Sequence, residues 1–269
     1  MPEINANGVR LHYTEAGSGP SVVVLSHSYL VDHRQFDHQI AALSQRFRVI
    51  AYDHRDHGRS GRVPGRYTLD DITTDGIALL EALGLPPVHW IGLSTGGFVG
   101  MRIALRRPEL LRSLVLMDTS GAEEPRLNRL KYQGLFAVLR RAGFSPVIAP
   151  AMASLFGPEF LRDPAQAASR SLWQERIEAL EPEAIIRFGN AIFARGNILR
   201  SLRDVSLPTR VVVGEQDKAT PLSKAKLLVE AIPGASLSVI ARAGHLSTIE
   251  QPAAVTAVLQ DFYEGLSAS

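Results

Sequence analysis

The sequence contains no cysteine in its 269 residues. This absence excludes a disulfide framework, a thiolate zinc site and a cysteine nucleophile. Apolar runs are short, and none approaches the roughly 20 residues that a helix needs to cross a bilayer. The amino terminus also lacks the basic and apolar regions of a signal peptide. We therefore expect a cytoplasmic protein that does not act at a membrane.

The sequence also lacks a large excess of one charge. Lys and Arg number 29 and Asp and Glu 27, a net charge of +2, and no polybasic block occurs, so nucleic acid is not an expected partner. The content of 45% apolar and 21% charged residues is typical of a globular protein. The length favours one large domain, alone or with an insertion, over two equal domains.

Short β-branched runs alternate with longer helical patterns along most of the chain. The runs lie at 21–25, 48–52, 88–93, 113–117, 210–213 and 236–240, and the helical patterns at 32–43, 69–83, 95–106, 221–231 and 251–263. This order predicts βαβ crossovers and a mostly parallel sheet covered by helices on both faces. Residues 8–15 alternate polar and apolar, which predicts an antiparallel edge.

A long segment breaks this alternation. From residue 121 to residue 206 no strand-like run occurs, and six prolines interrupt amphipathic helical stretches. The segment is too long for an ordinary connection. The sequence therefore predicts an α/β core of residues 1–120 and 207–269, with a helical cap of residues 121–206 inserted after the fourth parallel strand.

The predicted cap is rich in apolar side chains. We expect about three in four of sixteen such residues to form its own core and the rest to line an apolar substrate pocket. The sixteen are Leu135, Phe136, Val138, Leu139, Phe144, Ile148, Met152, Leu155, Phe156, Phe160, Trp173, Ile185, Ile186, Phe188, Ile192 and Phe193.

The motif Gly92-Leu93-Ser94-Thr95-Gly96 ends a strand pattern and opens a helical one. Glycines two residues on either side of the serine permit a turn so tight that neighbouring backbone comes close. A serine in such a turn stands at a helix N-terminus, where free N–H groups favour developing negative charge. The motif therefore indicates Ser94 as a catalytic nucleophile rather than part of an inert Gly/Ser turn.

A serine nucleophile needs a base, and the base needs a group that orients it. His245 follows the last strand pattern and is the predicted base. The chain order serine, acid, histidine favours Asp217, which lies just after a strand pattern, as the acid. Asp118, which follows the preceding strand pattern, is its competitor. Glu215 is interpreted as structural.

Acyl transfer also needs hydrogen-bond donors for the tetrahedral oxyanion. The backbone N–H of Thr95, the residue after the nucleophile, is one predicted donor. The second is expected in the loop after the strand at 21–25, with Tyr29 N–H preferred and Ser28 N–H as the alternative. His27 in the same loop is interpreted as a structural imidazole.

These residues resemble the α/β-hydrolase superfamily across nearly the whole chain. The likeness lies in Ser26-His27-Ser28, the segment 53–60, the Ser94 motif, Asp217 and Gly244-His245. Within the superfamily the chain is most similar to 3-oxoadipate enol-lactonase-like esterases and lactonases, whose oxyanion loop tends to carry serine where Ser28 stands. Glycine is common in relatives where Ser28 and Asp56 stand, so we expect the backbone to differ there.

The resemblance implies an α/β-hydrolase fold and a serine hydrolase that cleaves esters or lactones of small, moderately hydrophobic molecules. It implies that His245 deprotonates Ser94 to form an acyl-enzyme and then activates water. No cofactor and no metal is expected. An anionic substrate, as for an enol-lactonase proper, would need an arginine in the pocket, and the sequence leaves open which cap arginine faces inward.

Other activities stay as alternatives. Cofactor-free C–C hydrolases and perhydrolases keep the same triad, whereas haloalkane dehalogenases and epoxide hydrolases use an aspartate nucleophile, which Ser94 argues against. A non-enzymatic ligand receptor on this fold would be expected to lose a triad member. The segment 52–57 is one residue short of a zinc-lactonase motif, with Tyr52 where the first histidine belongs. Too few histidines follow to complete the ligands, so the segment is interpreted as a polar loop.

Overall fold

The computed structural model describes residues 2–268, and the strands in this range form one eight-stranded sheet. Residues 1 and 269, the ends of the predicted core, lie outside the described residues. The strands are β1 Glu3–Ala6, β2 Val9–Ala16, β3 Val22–Ser26, β4 Arg48–Tyr52, β5 Val88–Leu93, β6 Leu111–Met117, β7 Thr209–Gly214 and β8 Ser236–Ile240. Their order is β1-β2-β4-β3-β5-β6-β7-β8. Neighbours from β4 to β8 are parallel, which confirms the predicted sheet.

The antiparallel strand predicted for residues 8–15 is confirmed as β2, but the edge of the sheet is β1, which the sequence patterns do not predict. β2 pairs antiparallel with both β1 and β4. The hairpin turn between β1 and β2 is Asn7-Gly8, and both residues have positive φ, 51° and 74°. Asn-Gly suits such a two-residue turn because asparagine tolerates this region of φ and glycine has no Cβ to clash.

Helices cover the sheet on both sides. They are α1 Asp37–Leu43, α2 Leu69–Ala82, α3 Thr95–Arg106, α4 Arg126–Ala142, α5 Ile148–Leu155, α6 Pro158–Arg162, α7 Ala167–Glu178, α8 Pro182–Phe193, α9 Leu222–Ala231, α10 Ser247–Glu250 and α11 Pro252–Ala268. Successive residues of β3 point to opposite faces, so Val23 and Leu25 join the core under α1 and α11. Val22 and Val24 join the core under α2, α3 and α9. None of the described helices is both long and apolar enough to cross a membrane.

Five α-helices of the described chain, α4–α8, lie between β6 and β7 and are here termed the insertion helices. They occupy the segment for which a cap is predicted. Prolines occupy the first positions of α6 and α8, where their fixed φ suits a helix and their missing N–H costs nothing. Polar contacts join these helices to the rest of the chain. Arg187 binds Asp56 through two bonds of 3.2 Å, and the Tyr29 hydroxyl donates to the Ile185 carbonyl at 2.8 Å.

Candidate active site

Ser94 lies in a strained turn between β5 and α3. Its φ of 52° and ψ of −106° fall outside the regions that residues with a side chain ordinarily adopt. Hydrogen bonds fix the backbone on both sides of the strained angle. Ser94 N–H donates to the Met117 carbonyl at 2.8 Å, and the Thr119 hydroxyl donates to the Ser94 carbonyl at 2.7 Å. The end of β6 therefore holds Ser94 in a conformation that the local sequence alone would not favour.

The glycines of the motif are required by crowding. A Cβ at Gly92 would collide with the backbone of Gly96, and a Cβ at Gly96 would collide with the Ser26 carbonyl in β3. A Cβ at Gly97 would stand 2.6 Å from the hydroxyl of Thr119. The start of α3 thus packs against the backbone of β3 and β5 and against the Thr119 side chain just beyond β6, and the motif predicts this close backbone approach.

His245, Asp217 and Thr220 form one hydrogen-bonded group beyond the ends of β7 and β8. His245 Nδ1 lies 3.0 Å from Asp217 Oδ2, and because a carboxylate only accepts, Nδ1 carries the hydrogen. The Thr220 hydroxyl donates to the same oxygen at 2.6 Å. Asp217 Oδ1 accepts the backbone N–H groups of Ala219 and Thr220 at 2.8 and 2.9 Å. Thr220 also belongs to the site, although no sequence motif identified it. The feature that could have done so is the turn after Asp217, which brings residue 220 back to the carboxylate.

Asp217 and His245 each shift the pKa of the other in favour of its charged form. Burial lowers the pKa of His245, but the carboxylates of Asp217 and Asp118 raise it, and the net pKa lies above the ordinary 6.5. Burial raises the pKa of Asp217, but His245 and the bonds from His245 and Thr220 lower it below the ordinary 3.8. Asp217 is therefore ionised at neutral pH beside an imidazole that binds its proton more firmly than usual.

Asp118 is equally buried but has different partners. Its carboxylate accepts the Gly214 N–H at 2.7 Å and the Ser247 hydroxyl at 2.5 Å. Burial and repulsion from Asp217 raise the pKa of Asp118 well above its ordinary value. Of the two acids that the sequence offers, Asp217 is the one that contacts the His245 ring, while Asp118 braces β7 and α10.

The predicted oxyanion donors differ in whether their N–H groups are already hydrogen-bonded. The N–H groups of Thr95 and Tyr29 have no hydrogen-bond acceptor among the described residues. By contrast, Ser28 N–H donates to Gln35 Oε1 at 3.0 Å, so this alternative donor is already engaged. The Ser28 hydroxyl is buried, has no hydrogen-bond partner within residues 2–268, and lines the same cavity as Ser94.

Ser94 and His245 both line a cavity of about 340 Å³ between the sheet and the insertion helices. Eight of the sixteen apolar candidates reach this cavity, more than the one in four that the sequence predicts, because a residue can belong to the core and line the cavity as well, as Phe136 and Leu139 do. They are Leu135, Phe136, Leu139, Phe144, Leu155, Ile185, Ile192 and Phe193. Charged residues also line the cavity, and Arg195 is the arginine among them.

A sequence profile of the α/β-hydrolase fold matches residues 21–252. The chain belongs to the α/β-hydrolase family. The match spans β3 to the start of α11 and includes Ser94, Asp217 and His245.

Named relatives cover almost the whole of this hydrolase. The 3-oxoadipate enol-lactonase 2 of Acinetobacter baylyi is 29% identical, over 96% of each chain. A Caulobacter sp. (strain K31) protein, provisionally named as the carbamate hydrolase RutD, is 29% identical over 95% of this chain and 97% of its own. The crystal structure of the enol-lactonase from Burkholderia xenovorans LB400 superposes with a TM-score of 0.90 at 26% identity, over 98% of this chain and 100% of that one. The resemblance to enol-lactonases is thereby confirmed, and the family and its relatives support hydrolase activity.

The histidines of segment 52–57 and its neighbours brace the hydrolase rather than face the cavity. His54 N–H donates to His27 Nε2 at 2.9 Å, and His27 Nδ1 bonds the Ser28 carbonyl at 2.6 Å. Burial lowers the pKa of His54 to about 3 and that of His57 to about 4, so both are neutral at pH 7. These contacts support the structural interpretation of His27 and of the loop.

One grouping within the described residues, His12, His33 and Asp53, has metal-type donor atoms within 4.8 Å of one another. His33 Nδ1 lies 2.7 Å from Asp53 Oδ1, and His33 N–H donates to the same oxygen at 2.9 Å. The other oxygen accepts Arg59 N–H at 2.9 Å. The carboxylate is thus occupied in joining two loops to the end of β4, a role that needs no metal ion.

Glu250 links the histidine loop to the insertion helices. Its Oε2 accepts the N–H groups of Gly157 at 2.8 Å and Gly244 at 2.9 Å. Burial raises the pKa of this carboxyl to about 7. No motif in the sequence marks Glu250, because its partners are 93 and 6 residues away and meet only in the folded chain.

The crowding at the Ser94 turn predicts that Gly92→Ala destabilises the protein. The added methyl group cannot fit against the Gly96 backbone, and we expect a loss of about 3 kcal/mol or more in the free energy of unfolding. Urea unfolding followed by circular dichroism measures it. Gly134→Ala, where a Cβ meets nothing within 4 Å in α4, is the control and should gain up to about 1 kcal/mol. Equal effects of the two changes would contradict the crowding argument.

The raised pKa of Glu250 predicts a pH-dependent effect of Glu250→Gln. The folded state binds the proton of Glu250 more firmly than the unfolded state does, so ionisation costs stability as pH rises from about 4.5 to about 7. Glutamine keeps an acceptor without the charge. We expect the variant to be more stable than wild type at pH 8, by up to about 3 kcal/mol, and similar to it at pH 5. Glu215→Gln, which alters an exposed carboxylate that caps Arg242 N–H, is the control, and a pH-independent difference for Glu250→Gln would refute the titration.

Proposed function

We propose that the protein is a serine hydrolase that cleaves carboxylic esters or lactones of small, moderately hydrophobic molecules. Ser94 is the nucleophile, His245 the general base and Asp217 the acid that orients it. The observation that carries the proposal is the strained Ser94 turn facing the same cavity as a His245 ring already bonded to an ionised carboxylate.

The chemistry follows from the proton positions. With Nδ1–H donated to Asp217, the His245 Nε2 lone pair is the one available to take the proton of the Ser94 hydroxyl as its oxygen attacks the ester carbonyl. The N–H groups of Thr95 and Tyr29 donate to the oxyanion. His245 then protonates the leaving alcohol, and an acyl group stays on Ser94. Water, deprotonated by His245, releases the acid and restores the enzyme.

The insertion helices serve as the cap in this proposal. They contribute most of the apolar cavity wall, so the acyl or lactone part of the substrate is bound mainly by burial of apolar surface. Lactone cleavage draws support from the relatives named as enol-lactonases. A carbamate, as in the provisional name of the Caulobacter relative, is the second candidate substrate because the same attack and the same oxyanion would serve it.

The test is acid release in a pH-stat on a panel of short and medium esters, γ-lactones and acyl-homoserine lactones, with ammonia release measured for an alkyl carbamate. Wild type, a chelator-treated sample and Ser94→Ala run in parallel. We expect turnover that survives the chelator and falls on the order of 10⁶-fold in kcat on loss of the nucleophile. Ser223→Ala, an exposed serine of α9, is the matched control and should keep full activity.

Wild-type rates in Ser94→Ala would refute the assignment of the nucleophile. Turnover on no member of the panel would direct attention to C–C cleavage or perhydrolysis, which use the same three groups.

The His245 environment predicts the pH dependence of activity. The base must be neutral, and its pKa lies above 6.5, so kcat/KM should rise with pH through a midpoint above 6.5. Asp217→Asn removes the carboxylate that raises this pKa while burial still lowers it. We expect the midpoint to move to lower pH and kcat to fall on the order of 10⁴-fold.

Asp118→Asn is the matched control for this prediction. Asparagine can keep the bonds to Gly214 and Ser247, and the raised pKa of Asp118 makes the neutral side chain a close substitute. The loss of activity should be far smaller than for Asp217→Asn. Equal losses for the two variants would contradict the choice of Asp217.

A further inference from the structure

Two opposite charges are buried side by side in the wall of the substrate cavity. Arg195 follows α8 and Glu124 precedes α4, and both line the cavity with only 5% and 6% of their surface exposed. Arg195 Nη2 donates to Glu124 Oε2 at 2.9 Å. The pair therefore joins the two ends of the insertion helices and places a neutralised arginine where the cavity is otherwise mostly apolar.

Arg195 is held firmly in this position. Its Nε donates to the Ala122 carbonyl at 3.2 Å and its Nη1 to the Ile192 carbonyl at 3.1 Å. Its guanidinium carbon lies 4.2 Å from the centre of the Phe98 ring. With these contacts the guanidinium cannot swing away from Glu124 to follow a ligand without losing several partners.

Glu124 is anchored as well. Its second oxygen, Oε1, accepts the Asn128 side-chain N–H at 2.8 Å. Both carboxylate oxygens of Glu124 are thus bonded to residues that lie between β6 and β7. Movement of the carboxylate away from the cavity wall on substrate binding would break both hydrogen bonds.

The pair lies close to the nucleophile along α3. Phe98, on which Arg195 stacks, donates its N–H to the Ser94 carbonyl at 3.0 Å in the first turn of that helix. Phe98 also lines the cavity. Ser94, Phe98, Glu124 and Arg195 thus line one cavity, and an acyl group attached to Ser94 would lie in the cavity that the pair also lines.

Two lysines, Lys131 and Lys224, lie near this pair. Lys131 lines the cavity, but its side chain is exposed, so water and salt screen its charge. Lys224 is half-buried near Glu124 and donates to the Ala219 carbonyl at 3.4 Å, but it is not among the residues that line the cavity. The charge that a deeply bound acyl group meets is therefore set by Arg195 and Glu124.

An unpaired buried arginine would bind a substrate carboxylate strongly. Here the carboxylate of Glu124 already occupies that role, and a second one would lose its own hydration and be repelled by Glu124. Resting on the function proposed above, we infer that Glu124 makes the enzyme select neutral acyl groups and reject acyl groups that end in a carboxylate. Glu124 is thus a specificity-determining residue, and the preferred substrates are uncharged esters or lactones.

The test compares two p-nitrophenyl esters with the same six-carbon acyl chain, the neutral hexanoate and the mono-adipate, which ends in a carboxylate. For wild type at pH 7.5 we expect kcat/KM to favour the hexanoate by at least about 100-fold. In Glu124→Gln the arginine keeps an amide oxygen as partner but its charge is no longer balanced. We expect kcat/KM for the adipate ester to rise by about tenfold or more, through KM, with a much smaller change for the hexanoate.

Glu183→Gln is the matched control. Glu183 of α8 forms an exposed ion pair with Arg140 of α4, outside the cavity wall. The variant changes the net charge of the protein by the same amount as Glu124→Gln, but the ratio of kcat/KM for the two esters should not change. The double variant Glu124→Gln/Arg195→Met removes both cavity charges. It should cleave the hexanoate and show no gain on the adipate ester.

Several outcomes would overturn the inference. A wild-type ratio near one would do so without any variant, as would an unchanged ratio in a folded Glu124→Gln protein or an equal shift in Glu183→Gln. The failure of the proposed function is recognised separately. In that case the hexanoate itself is not cleaved, or its cleavage survives Ser94→Ala.

Discussion

The close approach of the start of α3 to the centre of the sheet is the constraint on which the site depends. Gly92 and Gly96 have no room for a side chain, because backbone from β3 and α3 occupies the space. The end of β6 then holds the strained Ser94 from both sides. With this turn in place, the free N–H of Thr95 and the cavity above the strand ends acquire fixed positions relative to Ser94.

The protonation states of the buried ionisable groups around this turn depend on their surroundings and hydrogen-bond partners. Asp217 and Asp118 lie near enough to repel each other. Asp217, which is bonded to His245, is ionised, whereas the pKa of Asp118 is raised in favour of its protonated form. His54 and His57 are held neutral by burial and serve as hydrogen-bonding braces. The hydrogen-bonded Asp217–His245 pair is therefore compatible with a crowded, polar sheet edge, because Asp118, His54 and His57 favour their neutral forms and add little charge beside it.

Substrate selection, in the proposed function, belongs to the insertion helices. They supply the apolar wall and the Arg195–Glu124 pair, and Glu250 ties them to the loop that carries His245. Relatives of about 29% identity carry names that refer to an enol-lactone and a carbamate. In this proposal one arrangement of Ser94 and its partners can serve different acyl groups, because the helices that line the cavity are separate from the sheet that holds the turn.

The sequence by itself determined seven of the eight described strands, the mostly parallel sheet and the Ser94 turn, since β-branched runs and glycine spacing act through local backbone and burial preferences. It also predicted His245 as the base and favoured Asp217 as the acid. Only the tertiary structure decided that Asp217 rather than Asp118 contacts His245, that Arg195 faces the cavity with Glu124, and that Glu250 spans two segments. These contacts join residues 28, 71 and 93 positions apart. No local pattern encodes which distant side chains meet, because packing of the whole chain sets their distances.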